Sequence, residues 1–193
     1  MFGVALFLGW WQVDGPGAER SVGKRPMPLS SMDFSLVDHQ GNDVGPNTML
    51  GKASLVFFGF TYCPDVCPST LIDIAGWLDK IDKAAERLNV VFVTVDPERD
   101  TPAVLAEYVS NFHPVIRGWS GSSTQIRQMA DSFRVFFEKV PSGSDGYVLN
   151  HTASVFLFGP DGDFVSTIDI HEPRDFAVPK IRRAIGLFEG QDG

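Results

Sequence analysis

Cys63 and Cys67 are the only cysteines in this chain of 193 residues, and they stand in the run Thr61-Tyr62-Cys63-Pro64-Asp65-Val66-Cys67-Pro68. Two cysteines cannot build a disulfide scaffold, so they are either incidental or one functional pair. Thiolates so close together have two chemical uses: reversible disulfide formation, or clamping a soft metal ion. Redox pairs commonly have two residues between their cysteines, whereas this pair has three. The wider spacing holds the sulfurs differently and tolerates a metal between them. A disulfide remains open if the turn brings the Cα atoms within about 7 Å. Two thiolates alone leave a metal poorly coordinated, so an imidazole is wanted. Of the four histidines, His39 falls in a hairpin turn, His113 follows a helix and His171 follows a strand, and each reads as a surface residue. His151 enters a core strand. By itself it reads as a hydrogen-bonded structural histidine, and periodicity does not bring it to the cysteines.

The elements around these residues are legible in the hydrophobic pattern. Residues 34–37, the turn His39-Gln40-Gly41-Asn42 and a short return predict a small hairpin. Residues 53–60 form a largely apolar run of strand length, which predicts a strand buried on both faces. Leu71, Ile74, Leu78, Ile81, Ala85 and Leu88 recur every three or four residues, predicting an amphipathic helix of about five turns. Residues 90–95 predict a second buried strand. Thr101-Pro102 caps a helix that buries Leu105, Val109 and Phe112, and Ser122 or Ser123 caps another carrying Ile126, Met129, Ala130 and Phe133. Residues 134–140 read as a strand. Residues 153–158, the turn Gly159-Pro160-Asp161-Gly162 and residues 164–170 predict a second hairpin. A last helix runs through Ile181, Ile185 and Phe188, with Pro179 near its start or kinking it. Two buried strands separated by a helix imply a right-handed parallel crossover, and the hairpins add antiparallel strands, so the sheet is mixed.

The cysteines therefore sit where the first buried strand ends and its helix begins, outside the carboxyl end of a strand, where sites collect in open α/β sheets. A regular helix starting at Pro64 would place Pro68 where a backbone donor is needed, at a cost of about 3 kcal/mol. The helix proper is expected from Pro68, leaving both sulfurs on a turn at its positive end, which favours thiolate.

Sixteen Lys and Arg against 24 Asp and Glu give a net charge of −8. Without basic runs this argues against a nucleic-acid partner, while an acidic surface would suit docking to basic partners. Sixteen Phe, four Trp and 44% hydrophobic residues exclude a solvated, disordered chain. Residues 1–11 are nearly all apolar and end in two tryptophans, side chains that favour a membrane interface. They are too few to span a bilayer, which takes about 20 residues. They read as part of a membrane anchor, a short interfacial anchor or atypical signal, or a segment packed on the domain. Residues 14–32, rich in Gly, Pro and Ser, read as a linker, and residues 33–189 as one domain.

The run 61–68, followed by Val93-Thr94-Val95-Asp96-Pro97-Glu98-Arg99-Asp100-Thr101-Pro102 and then by His151-Thr152-Ala153 before the Gly-Pro-Asp-Gly hairpin, closely resembles the Sco (SenC) family. The resemblance implies a thioredoxin-like α/β fold, with a central mixed β-sheet flanked by helices and an N-terminal hairpin. It implies that Cys63, Cys67 and His151 together bind copper, as Cu(I) or Cu(II). The expected function is a copper metallochaperone for the binuclear copper centre of cytochrome c oxidase. Its partners would be the oxidase subunit carrying that centre, and another copper donor or thiol reductant. Such proteins are usually tethered by an N-terminal membrane helix, with the domain in the periplasm or the intermembrane space.

The chain departs from the family at three positions. Asn150 stands where Asp is common before the histidine, Thr152 where Ser is frequent after it, and Tyr62 where His often precedes the first cysteine. A carboxylate that would orient the imidazole is thus missing at position 150. Asp65 and Asp96 match acidic positions of the family and read as a helix N-terminal charge and a turn former rather than as ligands. The main rival is a thiol-disulfide oxidoreductase acting on extracytoplasmic cysteines, with Cys63 and Cys67 as its redox pair. A cysteine peroxidase fits less well, because the Pro and Thr of the peroxiredoxin pattern would fall at Val56 and Phe60. A structural zinc site lacks a fourth ligand.

Overall fold

The computed structural model describes residues 25–143, 146–170 and 172–186. Its centre is strand β3 (Ala53–Gly59), whose seven residues are all buried. β4 (Leu88–Thr94) and β5 (Ile116–Ser120) lie parallel beyond it. On the other side β8 (Val155–Phe158) pairs antiparallel with β3, and β9 (Phe164–Ile168) antiparallel with β8. An N-terminal hairpin of β1 (Leu36–Asp38) and β2 (Asp43–Val44) completes the seven-stranded order β2-β1-β5-β4-β3-β8-β9. The mixed sheet and both hairpins are as the sequence predicts.

Helices cover both faces. Between β3 and β4 runs α1 (Val66–Ile81), which buries Leu71, Ile74, Leu78 and Ile81 as the spacing anticipates, together with Trp77 and Cys67. It stops earlier than the predicted five turns: Asp82 takes φ +47°, a turn of 3-10 helix carries residues 82–87, and Leu88 already belongs to β4. Next comes α2 (Pro102–Ser110), where the Thr101 hydroxyl accepts from the Val104 N–H and Pro102 opens the helix. α3 (Ser123–Phe133) starts in a reciprocal capping box between Ser122 and Gln125. The last helix, α4 (Arg174–Ala184), contains Pro179. Successive residues of β3 serve the two faces: Phe57 meets Phe92 on one side, and Phe58 meets Phe133 of α3 and Phe156 on the other.

Three local expectations change. Packing begins before Asp33, inside the segment expected as a linker: Leu29 is fully buried and its N–H donates to the Gly162 carbonyl at 2.8 Å. Arg134 caps α3 in the left-handed region (φ 60°), so the strand expected from residue 134 begins only at Phe137. That strand, β6 (Phe137–Ser142), pairs with an unanticipated β7 (Gly146–His151) in a separate two-stranded sheet. The apolar residues 1–11, and Phe188, which the sequence expects in the last helix, lie outside the described residues. Among the described residues no helix is long and apolar enough to cross a membrane.

Candidate metal centre

The chain leaves β3 at Gly59 and turns back at once, the Cys63 N–H donating to the Phe60 carbonyl at 3.2 Å. Asp100, fully buried beyond β4, holds this turn. Its carboxylate accepts the Thr61 N–H at 3.0 Å, the Thr61 hydroxyl at 2.6 Å and the Thr94 hydroxyl at 2.6 Å. Burial raises the Asp100 pKa, and the hydroxyls of Thr61 and Thr94 work against that rise.

The helix begins at Val66, not at Pro68, with Asp65 as its N-cap residue. Pro68 is then the third helical residue, where an N–H has no intrahelical partner, so the proline costs no bond. Cys67 therefore sits in the first helical turn and is fully buried, while Cys63 stays half-buried on the turn before it. The free Cys67 N–H points at the Cys63 Sγ, at 3.4 Å. Gly59 makes room for the buried sulfur. A Cβ there would stand 2.9 Å from the Cys67 Sγ and 2.7 Å from the Phe92 ring, inside van der Waals contact.

His151, the last residue of β7, reaches the pair from outside the central sheet. Its Nε2 lies 3.4 Å from the Cys67 Sγ. Its Nδ1 is 2.9 Å from the Thr152 carbonyl, which can only accept, so Nδ1 carries a proton and Nε2 faces the sulfurs. The backbone carbonyl thus orients the imidazole without a carboxylate at position 150, where Asn150 is exposed. Edge-on contacts with Phe60 (centroids 5.8 Å apart) and Phe57 (6.4 Å) steady the ring. The ligand atoms of Cys63, Cys67 and His151 all lie within 4.8 Å of one another.

The two thiols are unequal. A hydrogen bond from Cys67 holds the Cys63 pKa down to about 4 against the effect of burial, with further help from His151 and the Cys67 and Asp65 N–H groups. The same bond, and then burial, push Cys67 far above the usual thiol range. Cys63 is the thiolate and Cys67 the thiol.

The other histidines have local roles. His39 Nδ1 accepts the Gly118 N–H at 3.0 Å, and His113 Nδ1 accepts the Val115 N–H at 3.2 Å. His171 lies outside the described residues. Asp96 is more than a turn former: it is fully buried and bonded to Arg99 and to the Tyr147 hydroxyl. This cluster and Asp100 were not identified from the sequence, because their partners lie up to 51 residues away.

A mixed sheet with a cysteine pair where its central strand passes into a helix, joined by a histidine from a separate hairpin, defines a thioredoxin-like protein with a Cys-Cys-His cluster. The chain belongs to the SCO1/SenC family, whose model matches residues 23–186. It is similar to mitochondrial Protein SCO1 of Saccharomyces cerevisiae, 36% identical over 167 residues that cover 85% of this chain and 56% of the yeast protein. Among solved structures it resembles Bradyrhizobium japonicum ScoI with copper bound, with a TM-score of 0.75 and 38% identity over 83% of this chain and 99% of that one. It also resembles BsSco, described through its disulfide switch as a member of the Sco family of cytochrome c oxidase assembly proteins. There the TM-score is 0.65 and the identity 25%, over 86% of this chain and 98% of that one.

Proposed function

We propose that this protein is a copper metallochaperone in cytochrome c oxidase assembly, holding copper through the Cys63 and Cys67 sulfurs and His151 Nε2. The observation that carries the reading is the convergence of these three atoms within 4.8 Å. Two thiolates and one imidazole suit a soft ion such as Cu(I) and also serve Cu(II). They leave the metal short of a closed shell and open to an incoming ligand. Copper would pass to the oxidase subunit with the binuclear centre by stepwise exchange, the partner's thiols displacing the half-buried Cys63 first and the buried Cys67 later. The likeness to copper-bound ScoI and to BsSco, a member of a family of cytochrome c oxidase assembly proteins, supports this reading. The apolar residues 1–11 would tether the domain to a membrane, in the periplasm or the intermembrane space.

Titration of the reduced protein with Cu(I) against a competing chelator tests the site. One equivalent should bind, and Cys63→Ser, Cys67→Ser and His151→Ala should each weaken binding by at least about tenfold. Unchanged affinity in all three variants would sink the assignment.

The inequality of the thiols favours a second reading, thiol-disulfide exchange on a partner. The Cys63 thiolate would attack the partner's disulfide and release one partner thiolate. Cys67, giving up its proton, would then attack Cys63, freeing the second partner thiol and leaving a Cys63–Cys67 disulfide. That activity requires both cysteines and survives His151→Ala.

A further inference from the structure

His151 belongs to an element that the central sheet does not hold. β6 and β7 bond only to each other as strands, and the hairpin's buried apolar anchors are Phe137 and Leu149. Tyr147 and His151 share a face of β7, because side chains alternate along a strand. From that face the Tyr147 hydroxyl donates to Asp96 Oδ1 at 2.7 Å. Asp96 is fully buried at the end of β4, and its N–H donates to the Thr94 hydroxyl at 2.9 Å. Its second oxygen pairs with the Arg99 Nε, while Arg99 Nη1 donates to the Tyr147 carbonyl at 3.3 Å. The guanidinium carbon stands 4.0 Å from the centroid of Tyr147 and 4.8 Å from that of Tyr62, the residue before Cys63. Lys139 of β6 closes the outer side, 4.5 Å from the Tyr147 centroid and 2.6 Å from Glu98.

Arg99 therefore touches the cysteine turn through Tyr62 and the histidine hairpin through both the ring and the carbonyl of Tyr147. An ion pair whose acid is fully buried and whose base is half-buried is a poor source of net stability, because desolvation consumes much of its attraction. It is well suited to fixing one arrangement of two elements. The planar fork of arginine does this where the point charge of lysine does not.

We propose that Arg99, seated on Asp96, is a positioning residue for the metal site: it latches the β6–β7 hairpin so that His151 Nε2 meets the two sulfurs. This inference rests on the proposed copper site and extends it to residues that touch no copper. Releasing the latch leaves the cysteine pair in place and withdraws the imidazole.

Cu(I) affinity by chelator competition and the 15N shift of His151 Nε2 on Cu(I) loading are to be measured in Arg99→Lys and Tyr147→Phe. The second variant removes a single hydroxyl and remains informative if the first folds poorly. Arg99→Lys should lose roughly tenfold in affinity and much of the Nε2 shift, and Tyr147→Phe should show a smaller loss in the same direction. In a His151→Ala background Arg99→Lys should cost nothing further. Wild-type affinity and shift in both variants overturn the latch, as does an equal loss with and without His151, which would make the effect general instability. If His151→Ala alone changes neither affinity nor coordination, the copper-site reading itself falls, and the latch with it.

Discussion

Cys63 and Cys67 differ in the proton they carry, and copper binding must reconcile them. Cys63, held down to about 4, is already a thiolate at neutral pH, whereas Cys67, pushed far up by its bond to Cys63 and by burial, keeps its proton. Both must be thiolates to bind copper, so uptake near pH 7 should release about one proton, and affinity should rise about tenfold per pH unit toward pH 9. Calorimetry in two buffers of different ionisation enthalpy reads the proton count; zero or two would show that the sulfurs are not so divided. At this scale the sequence was informative about types and poor about distances. The cysteine pair and its place at a strand end could be read directly, because spacing and flanking prolines are local. Its helical start could not, since Pro68 at the third helical position is as acceptable as Pro68 at the first. His151 was tied to the cysteines only through family resemblance, for 84 residues separate it from Cys67 and no periodicity spans such a gap.

Elements place these side chains, and hydrogen bonds fasten the elements. The turn from β3 to α1 is fastened by Asp100, three of whose hydrogen bonds come from Thr61 and Thr94. Asp100→Ala leaves the Thr61 N–H and two hydroxyls without their acceptor and should cost about 1–3 kcal/mol in urea unfolding. Asp100→Asn should cost less, because its amide oxygen can accept and its nitrogen can donate to the Thr61 hydroxyl. The folded pKa of Asp100 is raised above the usual 3.8, chiefly by burial. Its contribution is therefore fully present below that value and is lost as pH rises through the folded pKa. The Asn variant lacks this loss, so its deficit relative to wild type should shrink as pH rises; a deficit that widens would contradict the burial argument. The apolar strands β3, β4 and β8 could be predicted because nearly every residue is buried. β5 escaped notice: Arg117 is exposed and Gly118 interrupts its apolar pattern, the glycine being where a Cβ would stand 2.9 Å from Leu105. β7 escaped too, since three of its residues face solvent and only Leu149 is buried.

Among the described residues a seven-stranded sheet stands beside a separate two-stranded hairpin, and the candidate site falls where the two meet. The sheet supplies the sulfurs through β3 and α1, and the hairpin supplies the imidazole. Tyr62 and Phe136, 64% and 60% exposed, flank the cysteine turn and the base of the hairpin, leaving the site at the surface where a partner can reach it. Mixed-sheet architecture was legible because it follows from local patterns, but the division into sheet and hairpin was not, because it depends on the pairing of β6 with β7. X-ray absorption at the copper edge on the reduced, Cu(I)-loaded protein tests the central claim most directly. A shell of two sulfurs and one imidazole nitrogen is predicted, with the nitrogen lost in His151→Ala and one sulfur lost in either cysteine variant. A shell of sulfur alone, or one unchanged by His151→Ala, would contradict it.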